Sequence, residues 1–231
     1  MFTRLLQRTS GWPGQCLICR AWPAATLCRR CVARFAAPQP RCQGCALPVP
    51  AGVARCGACL RQPPPMDCCL VAVHYGWPWT RCIAQLKFRQ DPGLAAPLAA
   101  LLAAAPGVAQ ALADADETLP LPLSAERLAE RGYNPAQLLA SHLTARRVRT
   151  DWLLRVRHTP PQHGLPRAQR LRNVRGAYAV NPLRAPLLQG RRVALIDDVM
   201  TTGTSLREAA LALRAAGAAH VTAIAFARAD D

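Results

Sequence analysis

The pattern of apolar and polar positions divides the chain into three parts. Residues 16–59 show no apolar period of two or of 3.6 and are punctuated by cysteines. Pro63-Pro64-Pro65 forms a short extended spacer, where a domain boundary is expected. From Asp67 onward apolar runs of strand length alternate with helical patterns. Strands are predicted at Cys68–Tyr75, Thr118–Leu123, Arg192–Ile196 and His220–Ala227. Helices are predicted at Arg81–Phe88, Leu94–Ala105, from Pro135 onward with Asn134 as cap, and Ser205–Ala216 with Gly217 closing it. Trp77–Thr80 reads as a turn. Leu153–Ala179 has no clean period, carries arginines at 155, 157, 167, 170, 172 and 175, and reads as a mobile basic loop with a short helix. Strands alternating with helices predict an α/β fold built on a parallel sheet.

Cysteine spacing changes the picture of the first part. Four Cys-x-x-Cys pairs occur: Cys16/Cys19, Cys28/Cys31, Cys42/Cys45 and Cys56/Cys59. Two such knuckles close one tetrahedral four-thiolate site, so eight cysteines make two structural zinc sites. Sequential pairing is the simplest, and an interleaved, cross-braced pairing stays open. The domains expected are a double zinc ribbon over 10–62 and an α/β domain over 67–231. Cys68, Cys69 and Cys82 lie outside the paired pattern and read as core thiols. So small a ribbon could not bury enough apolar surface to fold without metal.

The chemistry concentrates at Val193–Ser205. A strand runs into Asp197-Asp198, then into Thr201-Thr202-Gly203-Thr204-Ser205, then into a helix. Unpaired N–H groups at a helix start receive a phosphate. Carboxylates accept hydrogen bonds from sugar hydroxyls. This stretch resembles the phosphoribosyl pyrophosphate (PRPP) signature of type I phosphoribosyltransferases. The resemblance implies that Asp197 and Asp198 hold the ribose, directly or with Mg²⁺. It implies that Thr201, Thr202, Gly203, Thr204 and Ser205 wrap the 5′-phosphate. Leu123 and Ser124 would approach the pyrophosphate, with Arg127, Arg131, Lys87 or an arginine from 155–175 neutralising it.

Further stretches extend the likeness. The cysteine-rich head, Leu86-Lys87-Phe88-Arg89, Leu121-Pro122-Leu123-Ser124 with Arg127 and Arg131-Gly132-Tyr133-Asn134, and Thr159-Pro160-Pro161-Gln162 through Arg170, Arg172, Asn173 and Tyr178 together resemble the ComF family, proteins linked to competence and use of external DNA. Pro135 stands where that family commonly has glutamine. Proline suits a first helical turn, but any polar contact of the glutamine is lost. The resemblance implies a type I phosphoribosyltransferase-like parallel sheet with flanking helices, preceded by a double zinc ribbon. It implies a PRPP-binding protein acting in uptake or processing of external DNA, with DNA-uptake machinery proteins as partners.

Charge bears on the DNA expectation. The chain has 231 residues, a formal net charge of +16 and 51% apolar residues. Two four-thiolate zinc sites, each net −2, leave about +12. Such a balance suits single-stranded DNA, with Trp12, Trp22, Trp77 and Trp79 as stacking faces. Nearly all the cations are arginine, Lys87 being the one lysine, so a GC-rich genome explains part of the bias. The alternative is an active transferase of nucleotide salvage, moving phosphoribose from PRPP to an acceptor no segment identifies. No apolar run reaches the roughly 18–20 residues that span a bilayer, and no signal peptide is read at the start. A cytoplasmic protein is therefore expected.

Overall fold

A computed structural model of the chain describes residues 14–89, 91–145, 148–157 and 175–230. Trp12 and the stretch 158–174, with Thr159–Gln162, Arg167, Arg170, Arg172, Asn173 and the short helix expected there, lie outside the described residues. The chain forms two compact units, Met1–Ala37 and Pro38–Asp231. The second pair of knuckles thus falls in the same unit as the sheet.

In the smaller unit a turn carries Cys16 and Cys19, and helix α1 (Arg29–Phe35) follows Cys28. In the larger unit a turn carries Cys42 and Cys45, and α2 (Gly57–Arg61) follows Cys56. The α/β part then runs β1 (Cys68–His74), α3 (Trp79–Phe88), α4 (Ala95–Ala103), α5 (Val108–Asp114), β2 (Glu117–Pro120), α6 (Ala125–Arg131) and α7 (Pro135–Leu143). It continues as β3 (Leu153–Arg155), β4 (Tyr178–Val180), β5 (Arg192–Met200), α8 (Thr204–Ala215) and β6 (His220–Arg228).

The main sheet has the order β1-β6-β5-β2, with every pairing parallel. β3 and β4 form a separate antiparallel pair. Parallel strands need crossovers, and helices supply them here. On one face Leu206, Ala209, Ala210 and Leu213 of α8 share a core with Val193 and Leu195 of β5 and Val221, Ala223 and Ala225 of β6. The spacing in α8 is that of one helical face, and the spacing in each strand is two. α7 packs against β2, β5 and α4. There Trp79 is buried edge-on against Phe226, ring centroids 5.7 Å apart. No single helix among the described residues is long and apolar enough to cross a membrane.

Several expectations shift in detail. β5 runs through the acidic pair to Met200 instead of ending at Ile196. β2 stops at Pro120, leaving Leu121–Leu123 as loop. α6 was not expected from periodicity, because none of its residues is buried. It forms because the Ser124 hydroxyl accepts a hydrogen bond from the Arg127 N–H and Gly132, at φ 78°, closes the other end. α5 likewise had no signal beyond Val108 and Leu112, the two residues it buries.

Candidate functional site

The acidic pair stands at the carboxyl end of β5, where open parallel sheets place ligands. The Asp198 N–H donates to Asp197 Oδ1 at 2.8 Å, which holds the first carboxylate against the peptide that follows it. Asp198 is buried, and Lys87 Nζ on α3 reaches its Oδ1 at 2.7 Å. Burial, and then the neighbouring Asp198 charge, push the Asp197 carboxyl up to about 8 against the pull of Lys87. Such a carboxyl gains most from a ligand that brings its own cation or hydrogen-bond donors.

β5 passes directly into the Thr201–Ser205 loop. Gly203 precedes α8 with φ 72°, a left-handed conformation that favours glycine. A Cβ there would lie 2.6 Å from Met200 Cε, the end of a flexible side chain that can shift, so the backbone geometry is what calls for glycine. The hydroxyls of Thr202 and Thr204 are 2.8 Å apart and the Thr204 N–H points to Thr202 Oγ1 at 3.4 Å. Threonine oxygens therefore stand at the start of a twelve-residue helix, beside its free N–H groups.

A basic wall faces the loop. The Arg155 guanidinium lies over the Tyr178 ring at 5.7 Å. Tyr178 is buried; burial raises its phenol, while Arg155 and a hydrogen bond with Ser205 pull it down. Burial, then the charges of Arg155 and Arg131, lower the pKa of Arg127, which places these three arginines within one field. The base of the β3–β4 pair is tied to α8, the Gly176 N–H donating to Glu208 Oε2 at 2.8 Å.

Two stretches far apart in sequence meet beside the acidic pair. The Tyr133 hydroxyl donates to the Leu86 carbonyl, and Arg131 covers the Phe88 ring at 5.2 Å. Asn134 is buried; its Nδ2 donates to the Leu121 carbonyl at 2.9 Å and its Oδ1 accepts from the Ala136 N–H at 3.0 Å. One side chain thus caps α7 and holds the loop that carries Leu123 and Ser124. The set Arg131–Asn134 positions the segment bearing Lys87 on one side and the loop after β2 on the other.

The predicted residues Lys87, Asp197 and Asp198 are therefore in one place, with Thr201–Ser205 continuing from them. Arg127 stands in the arginine group with Arg155 and Tyr178. Leu123 is half-buried and Ser124 buried, serving as the α6 cap. The expected Asn134 cap is present; sequence reasoning missed its second bond, to the Leu121 carbonyl, and the place of Tyr178 under Arg155. Away from this site, a cleft of about 260 Å³ opens beside the start of β2, lined by Glu117, Arg149, Asp151, Trp152, Arg184, Leu187 and Arg191. Its arginines face carboxylates: Arg149 on Glu117 at 2.7 Å, Arg184 on Asp151 at 2.9 Å and Arg191 on Asp116 at 3.7 Å. Matched charges make it a structural feature.

The eight paired cysteines form two groups, Cys16/Cys19/Cys28/Cys31 and Cys42/Cys45/Cys56/Cys59, in each of which all sulfurs lie within 4.8 Å of one another. The grouping is sequential, not interleaved. Tetrahedral coordination with metal–sulfur bonds of about 2.3 Å puts sulfurs about 3.8 Å apart. The pairs Cys16–Cys31, Cys19–Cys28 and Cys45–Cys56 stand at 3.9, 3.7 and 3.7 Å. Burial and the crowding of neighbouring thiols push Cys31 up to about 12 and Cys45 up to about 11, while against burial the surrounding N–H and thiol donors bring Cys16 down to about 6 and Cys42 to about 7, so that one thiol of each group ionises at the expense of its neighbours. Four such thiols do not ionise together unless a cation shares them, so spacing and donor chemistry both fit a divalent ion with four thiolates.

A phosphoribosyl transferase domain model matches residues 128–231, from within α6 to the end. Over 222 residues the chain is 33% identical to the DNA utilization protein YhgH of Salmonella typhimurium, covering 90% of this chain and 94% of that one. The relative of the same name from Escherichia coli K12 is 32% identical over the same shares. Competence protein F of Haemophilus influenzae is 34% identical over 204 residues, covering 82% of this chain and 85% of its own. The chain belongs to the ComF family. As a ComF-family chain it joins a phosphoribosyltransferase domain to a cysteine-rich N-terminal region, and the parallel sheet with flanking helices described above is the fold of that domain.

Proposed function

We propose that this ComF-family chain binds PRPP with Mg²⁺ in the pocket at the carboxyl end of β5, binds single-stranded DNA, and acts in the uptake or processing of external DNA. The observation that carries the pocket assignment is the Lys87–Asp198 contact at 2.7 Å, directly ahead of a glycine-pivoted threonine loop at a helix start. It gathers a carboxylate pair for a ribose or its cation, an ammonium for an anionic leaving group and N–H donors for a 5′-phosphate. Asp197 and Asp198 would hold Mg²⁺ or the ribose hydroxyls. Thr201–Ser205 would hold the phosphate, and Arg127, Lys87 and the loop at Leu123-Ser124 would face the pyrophosphate. The names of the relatives, DNA utilization protein and competence protein F, support the DNA role, as does the net charge of +16. The two four-cysteine groups would hold structural zinc, one ion each, both within the ribbon region expected over 10–62 and ahead of the phosphoribosyltransferase-like region expected over 67–231.

The second reading is an active transferase that displaces pyrophosphate from PRPP with an acceptor. It draws on the arginine group at Arg127 and Arg155, which suits charge building on a leaving pyrophosphate. Calorimetry with PRPP and Mg²⁺, run beside a salt series with a short single strand, tests the first reading. Asp197→Asn with Asp198→Asn should remove PRPP binding and leave DNA affinity unchanged. DNA binding absent at low salt would sink the DNA role. Pyrophosphate release in the presence of a nucleobase panel would turn the assignment toward the transferase.

A further inference from the structure

Arg228 ends β6 and is 1% exposed, among the largest fully buried side chains of the described residues. It is in register with Met200, the last residue of β5. Its Nε donates to the Cys45 carbonyl at 2.8 Å. Its Nη1 donates to the Met200 carbonyl at 3.3 Å and lies against the Thr201 and Ala229 carbonyls. A buried charge is tolerated where fixed dipoles surround it, and a planar guanidinium meets several carbonyls at once. One side chain therefore joins a cysteine of the second group to the first residues of the phosphate loop.

Both ends of this link are rigidly tied. The knuckle turn of the second group is fastened to β1, the Cys69 N–H donating to the Gln43 carbonyl at 2.7 Å and the Cys69 thiol to the Gly44 carbonyl at 3.1 Å. Gly44 is closely packed, since a Cβ would meet Cys59 Sγ at 3.0 Å and Pro64 Cγ at 3.2 Å. At the other end the peptide planes transmit position. In a trans peptide the N–H points opposite to the carbonyl before it. Holding the Met200 and Thr201 carbonyls therefore sets the directions of the Thr201 and Thr202 N–H groups.

We propose that Arg228 is a positioning residue that couples the second cysteine group to the phosphate loop, so that metal held by Cys42, Cys45, Cys56 and Cys59 and a phosphoribosyl ligand held by Thr201–Ser205 reinforce one another. The proposal rests on the phosphoribosyl reading of that loop. A metal ion fixes the knuckle, the knuckle aims the Cys45 carbonyl, and Arg228 carries that aim to the loop. Linkage is reciprocal, so the ligand must strengthen metal retention by the factor by which metal strengthens ligand binding.

The test uses the full chain carrying Cys16→Ser and Cys19→Ser, so that metal release reports the second group alone. Zinc transfer to a colorimetric chelator is timed with and without PRPP and Mg²⁺, and PRPP affinity is measured by calorimetry. PRPP should slow zinc release at least tenfold. Arg228→Met should abolish that slowing and weaken PRPP binding at least tenfold, with Arg228→Lys in between. Weakened PRPP binding with zinc release indifferent to both PRPP and Arg228 would overturn the coupling. Amide hydrogen exchange separates this from a failure of the ligand reading or of folding. On zinc removal from the chain with Arg228 intact, the amides of Thr201–Ser205 should exchange faster while those of Leu98–Leu102 in α4 hold. Equal exchange at Thr201–Ser205 with and without zinc would refute the coupling whatever the pocket binds.

Discussion

The two cysteine groups have the same chemistry and nearly the same spacing, yet they are embedded differently. In the smaller unit Cys16 and Cys31 are the only fully buried residues among those described, so little apolar surface supports the group. In the larger unit Ala46 is fully buried in the sheet core together with Met66 and Cys69, and Cys45 packs against that core. A four-cysteine group can thus stand almost alone or be part of a larger core. What decides between them is whether the turn between its cysteines has apolar and hydrogen-bonding partners outside the knuckle.

The largest test of this contrast is Cys45→Ser against Cys19→Ser. Each should reduce bound metal from about two ions to about one by elemental analysis. Cys45→Ser should also cost the larger unit several kcal/mol, a fall of about 10 °C in its melting temperature at roughly 2–4 °C per kcal/mol. Cys19→Ser should leave that transition within about 1 °C. Equal shifts by calorimetry would mean that the two groups are embedded alike.

Gly203→Ala comes next. The left-handed backbone costs about 1–2 kcal/mol. PRPP affinity should fall at least tenfold while both metals stay bound. Unchanged affinity would separate the loop from the ligand. Asn134→Ala should cost about 1–3 kcal/mol by removing a cap and a buried hydrogen bond, visible as a lower denaturant midpoint. It too should spare the metal at Cys16, Cys19, Cys28 and Cys31, because its contacts lie entirely in the larger unit.

The last test concerns pH and also belongs to the larger unit. Because burial raises Asp197 to about 8, the folded chain holds a proton there that the unfolded chain has lost. The folded state then binds more protons than the unfolded one, so this contribution to stability is present at low pH and fades as pH rises from about 4 towards about 8. Ligand binding runs the other way, since an ionised Asp197 is the better acceptor for a cation or a hydroxyl. PRPP–Mg²⁺ affinity should rise between pH 6.5 and 8.5, with proton release on binding seen as buffer-dependent heat. A flat profile would mean that Asp197 is already ionised.

Much of the site was legible because its parts are contiguous. Asp197 to Ser205 is one strand, loop and helix start, and each part needs particular residue types for local reasons. The cysteine pairs were legible for the same reason, since a knuckle is a local grip. What was not legible depends on distant segments meeting. Nothing in Leu86-Lys87-Phe88 points to Asp198, and nothing in Arg131-Gly132-Tyr133 points to Leu86, until α3 and the end of β2 are packed on the same sheet. α6 escaped notice because it buries none of its residues and is held by its caps.

By itself, then, the sequence determined the alternation of strands and helices, the two four-cysteine sets as donor chemistry, and the glycine-pivoted threonine loop after β5. All of these follow from local preference and short spacing. The tertiary structure alone decided which cysteines share a site, which group joins the core, and that Lys87 meets Asp198. It alone placed an arginine at the end of β6 between a knuckle and the loop. At the end of a strand an arginine is ordinarily solvated; here the Cys45, Met200 and Thr201 carbonyls converge on it, and only the packed chain brings those dipoles to one point.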